Sequence, residues 1–108
     1  MFFDIKQKRL FWAFGVIERL AHLGYLYGVP HHIKPEQIDL FLQIDEERAN
    51  LFQSEEEFDE LFSFICDYCK IYEEDKASTV KRLARDYLNN RDALVRFAYE
   101  NNPNLIID

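Results

Sequence analysis

Two cysteines three residues apart, Cys66 and Cys69, are the side chains in this sequence best suited to metal or redox chemistry. A structural zinc site needs four ligands, and imidazoles would have to complete it. The chain has three histidines for that purpose: His22, His31 and His32. A redox pair instead needs its first thiol near a helix N-terminus, which stabilises the thiolate. Cys66 lies well inside a predicted helix, so we predict plain packing for both cysteines, without metal or cofactor; a site completed by a histidine is the alternative.

Residues 56–60, EEFDE, fit one half of the E-E-x-x-E magnesium motif of all-helical nucleotide pyrophosphatases. That chemistry needs carboxylates from two helices to hold the cation against phosphates. The second half, E-x-x-D, is missing, because neither Asp86 nor Asp92 follows a glutamate at that spacing. A magnesium-dependent nucleotide hydrolase is therefore an alternative, with a half-site at Glu56, Glu57 and Glu60.

Covalent catalysis has little support in the sequence. Ser54 and Ser78 suit helix N-caps, and Ser63 falls on a solvated helix face. No G-x-S-x-G motif and no glycine-rich phosphate loop occurs. Glu18 and His22 share a helix face, but di-iron bundles use Glu-x-x-His, which is a different spacing. No catalytic residue is predicted, and we do not expect an enzyme.

Negative charge is concentrated in the middle of the chain. The net charge is −7, yet residues 36–75 contain fourteen acidic and two basic side chains, whereas residues 1–35 and 76–108 are both net basic. Self-repulsion within such a segment opposes folding, and a solvated surface usually mixes both signs. The segment therefore predicts a surface for a basic partner and repels nucleic acid and anionic lipid.

The resulting hypothesis is a protein-binding inhibitor, such as an immunity or antitoxin-like protein that occludes the active site of a basic nuclease. The acidic segment would also suit an inhibitor that mimics the charge of nucleic acid. The predicted partner-binding residues are Asp39, Glu46, Glu47, Glu55, Glu56, Asp59, Glu60, Asp67 and Tyr68. A plain helical homodimerisation module, with the third helix packed on its copy, is the third reading.

Composition predicts an all-α fold. Apolar residues make up 48% of the 108-residue chain, and glycine and proline occur only three times each. Scarcity of these residues, with abundant Leu, Glu, Arg, Lys and Ala, favours helix over sheet. We predict a single domain over residues 1–108, folded as an antiparallel bundle of four to five helices.

The elements that carry these residues have recognisable boundaries. The first helix begins after Asp4 and ends near Tyr27 at Gly28, and it is apolar around most of its circumference, which predicts a central position. Its glycines would allow close helix approach. A second helix covers about 35–52, an antiparallel neighbour of the third. The third runs from the capping box of Ser54 and Glu57 to Tyr72, where a polar turn ends it. Ser78 caps the last element, which either continues through Asn89 and Asn90 or divides there.

The cysteines and the N-terminal residues indicate the cellular compartment of the protein. Two cysteines in one helix do not form a secreted disulfide framework, so we expect a cytoplasmic protein. Lys6, Lys8 and Arg9 precede an apolar run, as in a signal peptide, but Glu18 and Arg19 follow in place of a cleavage site. The same ion pair would lie near the middle of a membrane span, so no membrane insertion is expected.

Overall fold

The protein is an all-α bundle of five helices in a computed structural model that describes residues 4–26, 34–101 and 104. The bounds are α1 Ile5–His22, α2 Ile38–Glu46, α3 Glu55–Tyr68, α4 Glu74–Asn89 and α5 Ala93–Asn101, with short 3₁₀ turns at Pro35–Gln37 and Arg48–Asn50. The predicted fold class is therefore confirmed. None of the described helices is long and apolar enough to cross a membrane. The predicted helix end at Gly28, the loop histidines His31 and His32, and the tail at 105–107 lie outside the described residues.

Helix α1 lies at the centre, as its apolar circumference predicts. Seven consecutive residues, 12–18, are buried, and α2, α3 and α4 all pack against it. Gly15 allows the closest approach: a Cβ there would lie 2.0 Å from a ring carbon of Phe41 on α2. At about 100° per residue, Phe11, which contacts Phe41 of α2, lies almost opposite Arg9, which pairs with Glu57 of α3.

The first helix ends five residues earlier than predicted. Gly24, which we expected to serve interhelical packing, has open space around its Cα but a φ of +84°. Its N–H donates to the Ala21 carbonyl, and the Tyr25 N–H donates to the Leu20 carbonyl, both at 3.0 Å. This pair of bonds is a Schellman cap, which requires the left-handed conformation that glycine adopts without strain.

Helix α3 begins at Ser54, as predicted, but ends at Tyr68 rather than Tyr72. The Ser54 hydroxyl accepts from the Glu57 N–H, whereas the Glu57 carboxylate accepts from the Gln53 N–H, one residue before the expected partner. At the other end, Lys70 adopts a φ of +60°, and the Ile71 N–H donates to the Cys66 carbonyl at 2.8 Å. A second Schellman cap is thus formed with lysine in the place of glycine.

Helix α4 starts at Glu74, so the predicted cap at Ser78 is wrong. Ser78 lies inside the helix, and Glu73 occupies the N-cap position. The carboxylates of Glu74 and Asp75 lie in the first turn of α4, where the helix dipole favours negative charge. The sequence predicts a polar turn for these residues, whereas the structure places them inside α4. The last element divides after Asn89, where α4 ends, and α5 begins at Ala93.

Helix α2 is shorter than the predicted 35–52, and it contains a buried carboxylate. Asp45 is 0% exposed. Its Oδ1 accepts from Trp12 Nε1 at 3.1 Å, its Oδ2 accepts from the Tyr87 hydroxyl at 3.0 Å, and Arg91 lies 3.3 Å from the same Oδ2. These contacts join α1, α2 and α4 to the segment before α5. Arg19 donates to the Tyr87 hydroxyl at 2.7 Å and extends the network.

Replacing Lys70 with glycine should stabilise the fold. A non-glycine residue in the left-handed region costs about 1–2 kcal/mol, so Lys70→Gly should raise the free energy of unfolding by about 1 kcal/mol. The matched control is Lys76→Gly, which removes the same charge from a regular turn of α4 and should lower the free energy of unfolding by up to about 1 kcal/mol. Urea denaturation measures both, and a loss of stability in Lys70→Gly would contradict the assignment of the cap.

Tyr87 should be a pH-sensitive support of the core. Burial raises the pKa of Tyr87 to about 12, from its ordinary value of 10.0. The folded state therefore favours the protonated hydroxyl, and the stabilisation is fully present below about pH 10 and is lost as pH rises toward 12. Tyr87→Phe should lower the free energy of unfolding at pH 7 by about 1.5–3 kcal/mol, because the Asp45 carboxylate loses a donor.

The control for this variant is Tyr99→Phe, whose hydroxyl is on an exposed ring. It should change the free energy of unfolding by less than about 0.5 kcal/mol. Thermal unfolding followed at pH 7 and between pH 10 and 12 separates the two variants. If both behaved like the wild type at every pH, the buried network would not contribute to stability.

Candidate protein-binding surface

The predicted partner-binding residues do not form one continuous face. Asp39 and Glu46 are exposed on the outer side of α2, and six of the others belong to α3. The remaining one, Glu47, follows the last residue of α2. Helices α2 and α3 both pack on α1 and hardly contact each other, so the expectation of two neighbouring acidic helices is wrong. The acidic segment is divided into an α2 part and an α3 part.

Cations from the two basic ends of the chain pair with several of these carboxylates. Arg85 on α4 lies 2.9 Å from both Glu55 and Asp59. Lys8 on α1 lies 3.9 Å from Glu47. A further carboxylate of the acidic segment, Glu57, is 3.1 Å from Arg9. The charge left over for a partner is therefore smaller than the sequence count suggests.

Three carboxylates on α3 remain without an ion pair among the described residues: Glu56, Glu60 and Asp67. Their spacing of four and seven residues places them on one line along the helix. This line, which we call the α3 ridge, is directed away from the buried residues of α3, and all three side chains are exposed. The ridge is the part of the predicted site that the structure gathers on one surface.

Exposed aromatic rings adjoin the α3 ridge on the side toward α1. Phe64 is 54% exposed and Tyr68 is 55% exposed, and their ring centroids are 6.2 Å apart in a stacked arrangement. Tyr68 also contacts Phe14 of α1 edge to face at 5.5 Å, which holds its ring in place. Aromatic side chains of limited mobility next to charges are typical of the residues that dominate protein interfaces. Tyr68 was among the predicted partner-binding residues, whereas Phe64 was not.

The half-site for magnesium does not gain a second half in the structure. The helices on either side of α3 present cations to it, Arg9 from α1 and Arg85 from α4. Glu57, one of the three proposed ligands, is engaged by Arg9. In the described part of the chain, no group of three or more histidine, cysteine or acidic side chains is arranged to hold a metal ion.

Both cysteines are buried at the end of α3, where they pack as small apolar side chains. Cys66 was expected at the edge of the core and is as buried as Cys69. Burial raises the pKa of the Cys69 thiol to about 11, and burial also raises the pKa of Cys66. A thiol with a raised pKa is a weak nucleophile at neutral pH.

Comparison with known proteins leaves the surface as the only guide to function. No protein-family model, no curated protein sequence and no solved structure matches this chain. A functional proposal for this chain therefore depends on the residues described above.

Sequence reasoning missed the buried Asp45, the ion pairs of Arg85 and the position of Phe64. The sequence did contain a signal for Asp45, because Trp12 and Tyr87 are side chains that need a polar partner when buried. It contained no signal for the pairing of Arg85, since the 26 residues that separate it from Asp59 include a turn of unknown direction.

The cysteines should react slowly in the native protein. At pH 8 we expect both thiols to react with Ellman's reagent at least about tenfold more slowly than in urea, because burial suppresses the thiolate and blocks access. Single Cys66→Ser and Cys69→Ser variants assign the two rates. Rapid modification of the folded protein, or zinc that remains bound after purification, would contradict the packing role.

Proposed function

We propose that this protein is a binding inhibitor, similar in action to an immunity protein or antitoxin, whose α3 ridge docks on a basic nuclease or another basic nucleic-acid-binding protein. The observation that carries the proposal is the line of Glu56, Glu60 and Asp67, exposed and without ion pairs among the described residues. The half-exposed ring of Tyr68 next to it supplies apolar contact area. Cations elsewhere on α1 and α4 do not neutralise this line.

Charge spacing favours occlusion over mimicry of nucleic acid. At a rise of 1.5 Å per residue, the α3 ridge presents three charges over about 16 Å. A nucleic-acid strand carries one charge per about 3.4 Å of its axis, so the charges of the ridge are about twofold sparser. The ridge attracts and orients a cationic surface, and the bulk of the bundle then excludes the nucleic acid from it. Such charges mainly raise association rates and select among partners.

Reversing the charges of the α3 ridge should weaken the complex. The immobilised chain is used to capture basic proteins at low salt, and a captured protein is purified. The ability of the chain to displace a labelled oligonucleotide from that protein is then measured. The triple variant Glu56→Lys, Glu60→Lys and Asp67→Lys should displace the oligonucleotide at least about tenfold less effectively at low salt, which corresponds to about 1.4 kcal/mol. The difference should shrink as salt screens the charges.

The matched control reverses three exposed carboxylates around α2: Glu36→Lys, Asp39→Lys and Glu46→Lys. It changes the net charge by the same amount on the other side of α1 and should alter displacement by less than about threefold, beyond the general effect of net charge. Equal effects of the two variants would refute a specific role of the α3 ridge. A partner that binds the chain and the oligonucleotide at the same time would refute occlusion.

A further inference from the structure

A surface groove runs between α1 and α3, beside the α3 ridge. Its volume is about 480 Å³, and its apolar lining consists of Leu10, Leu61 and Phe64. Arg9, near the N-terminus of α1, contacts Glu57, near the N-terminus of α3, and Phe14 contacts Tyr68 further along both helices. The two helices therefore run parallel. The contact between Phe14 and Tyr68 lies beyond the C-terminal end of the groove, one turn past Leu10 and Phe64.

The two rims of the groove differ in charge. Glu60 lines the α3 side and Lys6 lines the α1 side, and neither makes an ion pair among the described residues. Arg9 and Glu57 also line the groove, but they neutralise each other at 3.1 Å. An apolar strip is thus bordered by a negative rim that continues into the α3 ridge, and by a positive rim on α1.

This combination points to a particular kind of occupant. We propose that the groove binds an amphipathic α-helix of the partner, with apolar residues at i and i+3 or i+4 and its cationic residues confined to one flank. A furrow between two parallel helices accepts a helix, and the bundle offers no free sheet edge among the described residues for strand addition. The inference rests on the proposed function, because it names the element of the basic partner that docks.

Helix α2 of a second copy of this chain is a poorer occupant of the groove. The described helix α2 exposes Ile38 and Leu42 at the required spacing, but the charges beside them are Asp39 and Glu46. These would be repelled by the negative rim and by the α3 ridge. An external helix with arginine or lysine on the flank toward α3 and acidic residues on the flank toward α1 meets both rims with opposite charge.

Two labelled peptides of about 18 residues test the occupant directly, since shorter peptides are only marginally helical. Both have the same composition, no net charge and the same stripe of leucines. The charge-split peptide has arginines on one flank and glutamates on the other, and the charge-mixed peptide alternates them. Neutrality removes general attraction to the acidic protein, and fluorescence anisotropy should show at least about tenfold tighter binding of the charge-split peptide.

Variants of the chain locate the peptide. Phe64→Ala and, separately, Glu60→Lys should each weaken binding of the charge-split peptide by at least about tenfold. The controls are Tyr72→Ala, an exposed aromatic ring outside the groove, and Glu46→Lys on α2, and neither should change binding by more than about twofold. Unchanged thermal unfolding confirms that each variant is folded.

The outcomes distinguish this inference from the proposed function. Equal binding of both peptides, no saturable binding of either, or insensitivity to Phe64→Ala would overturn the groove assignment. The proposed function would survive that result if reversal of the α3 ridge still abolished oligonucleotide displacement. Groove binding without oligonucleotide displacement would support the groove and refute the inhibitor. A dimer in sedimentation that Phe64→Ala dissociates would assign the groove to a second copy and overturn the inference.

Discussion

The carboxylate of Asp45 lies in the interior of the bundle without solvent contact, and the arrangement of the helices depends on it. An isolated buried charge would cost many kcal/mol, so its oxygens must be fully occupied. Trp12 and Tyr87 supply two neutral donors, and Arg91 supplies the opposite charge. Because these partners come from different parts of the chain, only one arrangement of α1, α2 and α4 satisfies all of them. The apolar core supplies most of the stabilisation, and the carboxylate fixes which packing of that core is adopted.

The same pairing of distant charges explains what the surface offers to a partner. The basic ends of the chain place Lys8, Arg9 and Arg85 against carboxylates of the acidic middle segment. The segregation of charge seen along the sequence is therefore partly an internal complementarity that holds α1 and α4 beside α3. On α3, the carboxylates of the α3 ridge remain exposed, together with the rings of Phe64 and Tyr68.

Much of the architecture could be predicted from local chemistry. The cap at Ser54 and the central position of α1 depend on residues near each other in sequence, and both are confirmed. Predictions failed where a left-handed residue ended a helix, at Gly24 and Lys70. A glycine can serve either helix packing or a left-handed cap, so its role is ambiguous in the sequence. A lysine does not indicate a left-handed conformation at all. The predicted packing of α2 against α3 was also wrong. A short connection indicates that two helices run antiparallel, but it does not determine whether another helix packs between them.

The central position of α1 has a consequence for synthesis of the protein. Trp12 meets its partners only when residues 33 and more positions later have been made, and Arg19 reaches Tyr87 across 68 residues. The helix that is apolar around most of its circumference leaves the ribosome before the helices that pack against it. At about 5–20 residues per second, it waits several seconds for α4. During that interval the nascent chain exposes a surface that chaperones bind, so efficient production of this small bundle depends on protecting its first helix until its last helices are complete.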